Sequence, residues 1–390
     1  MDLAYSPAEE RFRGELRAWL AANPPGPEPA DGAAWVTHGK AWQRRLYDAG
    51  WCGVHWPAAY GGRGASLIEQ IIFQEEMARA GAPQLINLAG LTMGGPVLIA
   101  HGTEAQKRRY LQKILAAEEI WCQGFSEPNA GSDLAALRTR AVLDGDDFVV
   151  NGQKVWTSFA RYADWCMLLV RTNPDAPKHK GITFLLVDMH SPGVTVRPLK
   201  QISGDDDFNE VFFEDVRVPR GNVVGAVDAG WDIAITTLMH ERQTLTFSRQ
   251  LQSRVALDQL LALARRWPAG RPLARQPLAR QQLAAAVIDS AAMRYMALRN
   301  LTRTLRRGEP GPEGSVEKLF WSEMYQRMLE QAVGLTGPFA QLLPGAAHAV
   351  DDGRWPHLML YSRGRTIAAG SSEIQRNIIA ERVLGLPRQR

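Results

Sequence analysis

Two short segments of this chain combine residue types that can hold a flat, hydrogen-bonding ligand. The first is Trp121-Cys122-Gln123-Gly124-Phe125-Ser126-Glu127-Pro128-Asn129-Ala130-Gly131-Ser132-Asp133, and the second is Asn151-Gly152-Gln153-Lys154-Val155-Trp156-Thr157-Ser158. In both, small and hydroxylic residues stand beside a large aromatic. Gly and Ala let a backbone approach a ligand closely, hydroxyls donate and accept, and an indole such as that of Trp156 covers a ring. Taken alone, Glu127-Pro128-Asn129-Ala130-Gly131-Ser132-Asp133 also fits an ordinary Gly/Asn turn. The pair is the informative feature.

The elements that must position these residues follow from periodicity. Residues 1–120 read as helical. Glu9 to Ala22 has apolar residues at helical spacing (Phe12, Leu16, Trp19, Leu20) and stops at Asn23-Pro24-Pro25. Trp56-Pro57 to Gly64 is too rich in Pro and Gly for a helix. Helical spacing returns at Leu67 to Ala80 and from Ala105 to Leu115. From residue 121 the pattern changes to short apolar runs bounded by Gly, Asp and Pro. They are Ala141–Leu143, Phe148–Val150, Trp165–Val170, Thr183–Val187, Val194–Val196 and Asn209–Phe213. Such spacing predicts a small β-domain ending near Val218-Pro219. After Gly230-Trp231 long amphipathic stretches run to the C-terminus, interrupted by a Pro- and Arg-rich connector from Arg266 to Pro277. The expected class is α+β: an N-terminal helical domain (1–120), a central small β-barrel or sandwich (121–226) and a C-terminal helical bundle (227–390).

Composition narrows the partners. A chain of 390 residues, 45% hydrophobic and 22% charged, has enough material for a large core in two or three domains. The net charge of +4 is spread among acids, with no dense Lys/Arg run interleaved with aromatics, which argues against nucleic acid. Cys52, Cys122 and Cys166 are odd in number and lack CxxC spacing, so neither a disulfide framework nor a metal site is expected. No apolar run reaches the ~18 residues of a membrane span, and the start shows no export pattern. A cytoplasmic protein is expected.

The paired segments resemble the flavin-contacting segments of the acyl-CoA dehydrogenase family, and the helical–β–helical order is similar to that fold over essentially the whole chain. Further local matches lie in the same order: Gly61-Gly62-Arg63-Gly64 after Trp56-Pro57, Gly102-Thr103-Glu104 before Gln106-Lys107, Val216-Arg217-Val218-Pro219, and Ser372-Glu373-Ile374-Gln375-Arg376-Asn377-Ile378-Ile379. The resemblance implies α,β-desaturation of an acyl-CoA thioester. A carboxylate removes the α-proton, a hydride passes from the β-carbon to FAD, and electrons leave through an electron-transfer flavoprotein. An α-proton of a thioester is weakly acidic, so the site must stabilise charge on the carbonyl and hold its base in a dry place that raises the base's pKa.

The position of that base is where this chain departs from the family. Most members carry a Glu just before the Gly of a Tyr-Glu-Gly-Thr-Ser-Glu segment, whereas here Ala368-Ala369-Gly370-Ser371-Ser372-Glu373 places Ala369 there. The Ala369 backbone N–H remains to bond the thioester carbonyl. A subset of the family carries its base on the helix after the β-domain, just before an Arg. In Leu238-Met239-His240-Glu241-Arg242 this assigns the base to Glu241 and thioester or CoA contact to Arg242. His240, one residue away, points about 100° aside on a helix. Without the resemblance, Glu241 would read as a surface acid making a local contact.

For the flavin, the resemblance implies Phe125 and Ser126 beside the ring, Gly131 and Ser132 near phosphates or substrate, Trp156 over the ring and the Ser158 hydroxyl near the reactive edge. Thr157 stands where the family usually has Ile. Gly370, Ser371 and Glu373 match C-terminal positions that approach FAD. Family members also donate contacts to a neighbouring subunit through Arg-x-x-Phe-Gly and a later Gln. Here Arg266-Trp267-Pro268-Ala269-Gly270 keeps Arg266 and the Gly, Pro277 replaces the Gln, and Gly337-Pro338-Phe339-Ala340 replaces a Gly-Gly-x-Gly element. Such erosion accompanies family members that assemble as α2β2 heterotetramers, so a homo- or heterotetramer is expected. Two other readings stay open: a non-catalytic partner subunit, and a flavin monooxygenase on the same fold.

Overall fold

Side-chain caps start three of the N-terminal helices. α1 (Pro7–Ala22) opens on Ser6, whose hydroxyl accepts from the Glu9 N–H while the Glu9 carboxylate accepts from the Ser6 N–H. Phe12, Leu16 and Leu20, four residues apart, form its buried stripe. α2 (Gly32–Asp48) follows, and then α3 (Leu67–Arg79), capped by Ser66 in the same reciprocal way. α4 (Gly95–His101) precedes α5 (Glu104–Leu115), capped by Thr103 and Gln106. The Pro/Gly-rich stretch between α2 and α3 is a loop carrying one 3₁₀ turn at Ala58–Tyr60.

The structure is a computed structural model that describes residues 4–29, 32–267, 273–308 and 311–388; for residues 239–247 it describes the helical backbone and not the side chains.

All six apolar runs form strands of one sheet. The strands are β1 (Trp121–Gly124), β2 (Arg140–Asp144), β3 (Asp147–Ser158), β4 (Trp165–Arg171), β5 (Ile182–Asp188), β6 (Val194–Leu199), β7 (Phe208–Pro219) and β8 (Val223–Val224). Their order is β6-β7-β3-β2-β4-β5-β8, with β1 lying parallel on β4. β4 and β5 are buried almost end to end, which is why they read as continuous apolar runs rather than alternating ones. Sequence periodicity did not resolve β1, nor the extension of β3 through Trp156.

The C-terminal helices are α6 (Gly230–Arg266), α7 (Pro277–Arg307), α8 (Gly314–Thr336), α9 (Arg354–Ser362) and α10 (Ser372–Ile378). Pro277 supplies the pre-set φ of a first helical turn, and Gly308, left-handed at φ 82°, ends α7. Of the expected connector after Arg266, residues 268–272 lie outside the described residues; Leu273–Arg275 is a 3₁₀ turn.

The chain divides into two compact units. One comprises Met1–Lys200 and Asp206–Glu241, the other Gln201–Asp205 and Arg242–Arg390. In the first, Leu16, Trp42, Trp56, Leu98, Ile114 and Trp121 anchor a core that reaches the sheet through Leu169 and Phe184. A second cluster of Val150, Cys166, Leu185, Val211 and Phe213 fills the other side of the strands. In the other unit Leu257, Leu260, Leu263, Trp321, Met328, Leu329 and Trp355 pack α6, α7, α8 and α9 together. Each such fully buried side chain contributes about 1.5–3 kcal/mol relative to exposure. Among the described residues no helix is long and apolar enough to cross a membrane.

Candidate active site

A break in strand pairing aims the second sequence segment outward. β3 and β7 pair Lys154 with Val211 and Thr157 with Asn209, so Val155 and Trp156 together oppose Glu210. Such a bulge re-aims the side chain it carries. Trp156 sits at φ 62°, a left-handed conformation that costs a bulky residue on the order of 1–3 kcal/mol. In exchange its indole is 60% exposed, on the same open face as Ser158, while Lys154, Val155 and Thr157 are buried. The Trp156 ring meets Phe208 edge-on at 6.0 Å, which leaves its own face open. The Thr157 hydroxyl is buried with no hydrogen-bond partner among the described residues.

The first segment lies against that strand. The Val155 N–H donates to the Ser126 carbonyl at 2.9 Å. Phe125 turns its ring into the core, edge-on to Phe184 at 6.0 Å, so the ring is not a free stacking face. Gly131 and Ser132 are exposed, and a Cβ placed on Gly131 would meet nothing within 4 Å. Open space over a small residue beside a hydroxyl suits a bulky polar ligand. Next to Ser132, Asp133 pairs with Lys178 at 3.0 Å, both more than half exposed and therefore contributing little to stability.

Beneath the segment is a buried ion pair that sequence reasoning did not single out. The Lys154 ammonium, fully buried, donates to the Phe125 carbonyl at 3.0 Å and to Glu127 Oε1 at 2.8 Å. Glu127 also accepts from the N–H groups of Arg138 at 2.7 Å and Thr139 at 2.8 Å. Burial alone would lift the Glu127 carboxyl, but Lys154 and Thr139 outweigh it and hold it below the usual carboxylate range. Burial pulls Lys154 below the usual lysine range, with Glu127 opposing. The available signal was a Lys at an inward position of an alternating strand.

In the other unit the Ala369–Glu373 segment is a tight turn into α10. Ala369 (φ 54°) and Gly370 (φ 85°) are consecutive left-handed residues. Gly suits 370 because φ 85° strains any residue with a Cβ, and a Cβ there, 2.5 Å from Gln375 Nε2, would push that amide aside. The Gln375 amide donates to the Ala369 carbonyl at 2.9 Å and more weakly to that of Gly370 at 3.3 Å; the Lys318 ammonium donates to the latter at 2.6 Å. Ser371 caps α10 by accepting from the Ile374 N–H. Glu373 is exposed in the first turn, where backbone N–H bonding and then Ser371 hold its carboxyl low. Burial, reinforced by Arg249 and opposed by Glu323 and Glu373, pulls Lys318 down to about 8. Lys318 and Gln375 were not anticipated either, since carbonyl partners leave no mark in a sequence.

The expected base falls elsewhere. Glu241, Arg242 and the flanking His240 lie on the α6 backbone, and their side chains are outside the described residues. Arg266 is described at the end of α6, where its guanidinium bonds the Asp351 carboxylate. Pro268, Ala269 and Gly270 of the eroded neighbour-contact segment are outside the described residues, and Gly337–Gln341 is a 3₁₀ turn.

The sequence patterns for the acyl-CoA dehydrogenase N-terminal, middle and C-terminal domains match residues 6–118, 122–216 and 228–384. The chain belongs to the acyl-CoA dehydrogenase family, and it is an enzyme of that oxidoreductase class. It is 43% identical to the acyl-CoA dehydrogenase IpdE1 of Mycobacterium tuberculosis, over 97% of this chain and 98% of that one. Among solved structures it is similar to the ChsE4-ChsE5 complex of Mycobacterium tuberculosis, with a TM-score of 0.87, 33% identity and full coverage of both chains. A structure described as the Tcur3481-Tcur3483 steroid ACAD also gives a TM-score of 0.87, at 32% identity and full coverage of both chains.

Proposed function

We propose that this chain desaturates a bulky acyl-CoA thioester with FAD as its resident cofactor and Glu241 as its base. The observation that carries this reading is the Ala369–Gly370 turn. The acid is missing there, yet Lys318, Gln375 and a left-handed glycine still hold the backbone in shape. A turn maintained without its acid serves through its backbone. The base must then come from another position, and Glu241 is the carboxylate that stands before an Arg on α6.

The residues present suit FAD: an open indole face at Trp156, hydroxyls at Ser126, Ser132 and Ser158, open space over Gly131, and Gly370, Ser371 and Glu373 at the start of α10. When bound, FAD supplies the acceptor for the hydride that leaves the β-carbon. Glu241 takes the α-proton, and the Ala369 N–H donates to the thioester carbonyl oxygen as negative charge builds there. Arg242 holds the thioester or CoA portion. Arg266 approaches the cofactor of a neighbouring subunit in a tetramer, and electrons pass on to an electron-transfer flavoprotein. The steroid description of one similar structure supports a bulky acyl group. The three matched ranges support a division at 1–120, 121–226 and 227–390, and a cytoplasmic location belongs to the same reading.

Glu241→Gln tests the base directly. Turnover falls about 100- to 10,000-fold, as loss of a general base requires, while bound FAD per chain stays at the wild-type level. Unchanged turnover would move the base off Glu241. A second reading is favoured by one observation, that Arg266 is engaged by Asp351 within its own chain. On that reading the chain is the non-catalytic partner of a heterotetramer, in keeping with the paired names of the similar structures. The ratio of FAD to chain, read from the visible spectrum of the protein purified alone, separates the two: near one for self-sufficient sites, near zero for a missing partner.

A further inference from the structure

We propose that Lys154 is a positioning residue for the cofactor site: through the Phe125 carbonyl and Glu127 it locks the Phe125–Ser126 backbone to the strand that carries Trp156 and Ser158. The inference rests on the FAD reading above for what is positioned, and on the geometry of one unit for how.

A bulge loosens a strand, because the residues it inserts leave the regular ladder. β3 is bulged between Lys154 and Thr157, and the outward-facing Trp156 lies within that bulge. Something else must fix that strand against the segment after β1. Two bonds do so from adjacent residues: Lys154 Nζ to the Phe125 carbonyl at 3.0 Å, and the Val155 N–H to the Ser126 carbonyl at 2.9 Å. The second is a single backbone bond at the bulge. The first is charge-assisted and fully desolvated, hence the stronger constraint.

The lysine is itself fixed at its far side. Glu127 Oε1 accepts from it at 2.8 Å, and the Glu127 carboxylate is held in turn by the N–H groups of Arg138 and Thr139 at the entrance to β2. The Thr139 hydroxyl reaches back to the Gln153 carbonyl at 3.3 Å, which closes a ring of bonds around the bulge. Gly124 lets the neighbouring strand close in beside the pair: a Cβ there would lie 2.8 Å from Cys166 Sγ and Leu168 Cδ1, while Lys154 Cγ, at 3.5 Å, would be in ordinary contact. A buried ion pair contributes little net stability compared with apolar residues of the same size. What it supplies here is a fixed separation between two ligand-facing stretches.

The test is the charge-neutral double variant Lys154→Met/Glu127→Gln. It removes both charges together and keeps a side-chain acceptor for the Thr139 N–H. Expected are a Tm close to wild type, amide exchange across 125–127 and 155–158 at least tenfold faster in the flavin-free protein, and FAD bound at least tenfold more weakly with a displaced visible absorption band. Wild-type exchange rates together with wild-type FAD affinity and spectrum would overturn the proposal, leaving the pair a packing feature. If the double variant does not fold, Lys154→Gln, a shorter neutral donor, is measured in the same way and judged by the same outcomes. A wild-type protein that does not bind FAD would remove the cofactor reading. The exchange measurement, made without flavin, then decides whether Lys154 locks the segment.

Discussion

Each of the two compact units holds one turn in place with a buried lysine, but by different means. In the unit that carries the sheet, Lys154 donates to a backbone carbonyl and to a carboxylate that is itself fully engaged. In the helical unit, Lys318 donates to the Gly370 carbonyl, and no salt bridge of its own is formed among the described residues. In the first, burial pulls Lys154 below the usual lysine range and the countercharge buried with it opposes that shift. The second, pulled to about 8, loses its proton at a pH the enzyme can meet. Pairing therefore makes a rigid clamp in one place, and its lack makes a titratable one in the other.

The sharpest way to break this comparison is to remove one partner of the clamp. Lys154→Ala leaves Glu127 buried and unpaired and costs about 3–5 kcal/mol of unfolding free energy, read from urea denaturation. A loss below about 1 kcal/mol would mean that the pair is not desolvated in solution and that the two lysines are equivalent.

The titratable clamp predicts a pH signature. With a folded-state value near 8 against an ordinary 10.5, the unfolded chain binds more protons at Lys318 between those limits, so stability rises with pH across that window. The slope is at most on the order of 1 kcal/mol per pH unit. Wild type minus Lys318→Met, followed by Tm from pH 7.5 to 10.5, should show this rise. A flat difference would place Lys318 beside a countercharge after all.

Smaller effects sharpen the contrast at the ligand-facing residues. Trp156→Gly relieves the left-handed strain at the bulge, so the flavin-free protein keeps its Tm or gains slightly. FAD titration then shows a three- to tenfold weaker complex, about 0.5–1.5 kcal/mol for one lost ring contact. An unchanged affinity would mean that the exposed indole faces something other than the cofactor. Ser371→Ala removes the cap of the short α10 and costs about 0.5–1 kcal/mol in thermal unfolding; no change would show that Lys318 and Gln375 hold this turn unaided.

Much of the fold was legible in the chain. Ser6, Ser66 and Thr103 with their partners three residues on mark helix starts, because a cap is satisfied within one turn. The six apolar runs mark strands, and in β4 and β5 burial demands apolar side chains at nearly every inner position, Thr183 being the polar exception. Both segments proposed to face the cofactor, and the Ala at the position where the family usually carries its base, were visible in the same way. The bulge was not. Nothing in Lys154-Val155-Trp156-Thr157 tells which residue leaves the ladder, since register is settled by β7, which lies far along the chain.

The sequence by itself determined the order of helical and strand-forming stretches, the family resemblance and the residues proposed to meet a cofactor, since periodicity, caps and motifs are local properties. Tertiary structure alone decided that the Phe125 ring turns inward while the Trp156 indole turns outward, and that Lys154 and Lys318 hold the two turns. Those outcomes depend on backbone carbonyls and on partners brought close only by folding. A carbonyl is the same in every residue, so its choice of donor cannot be written in the side-chain code.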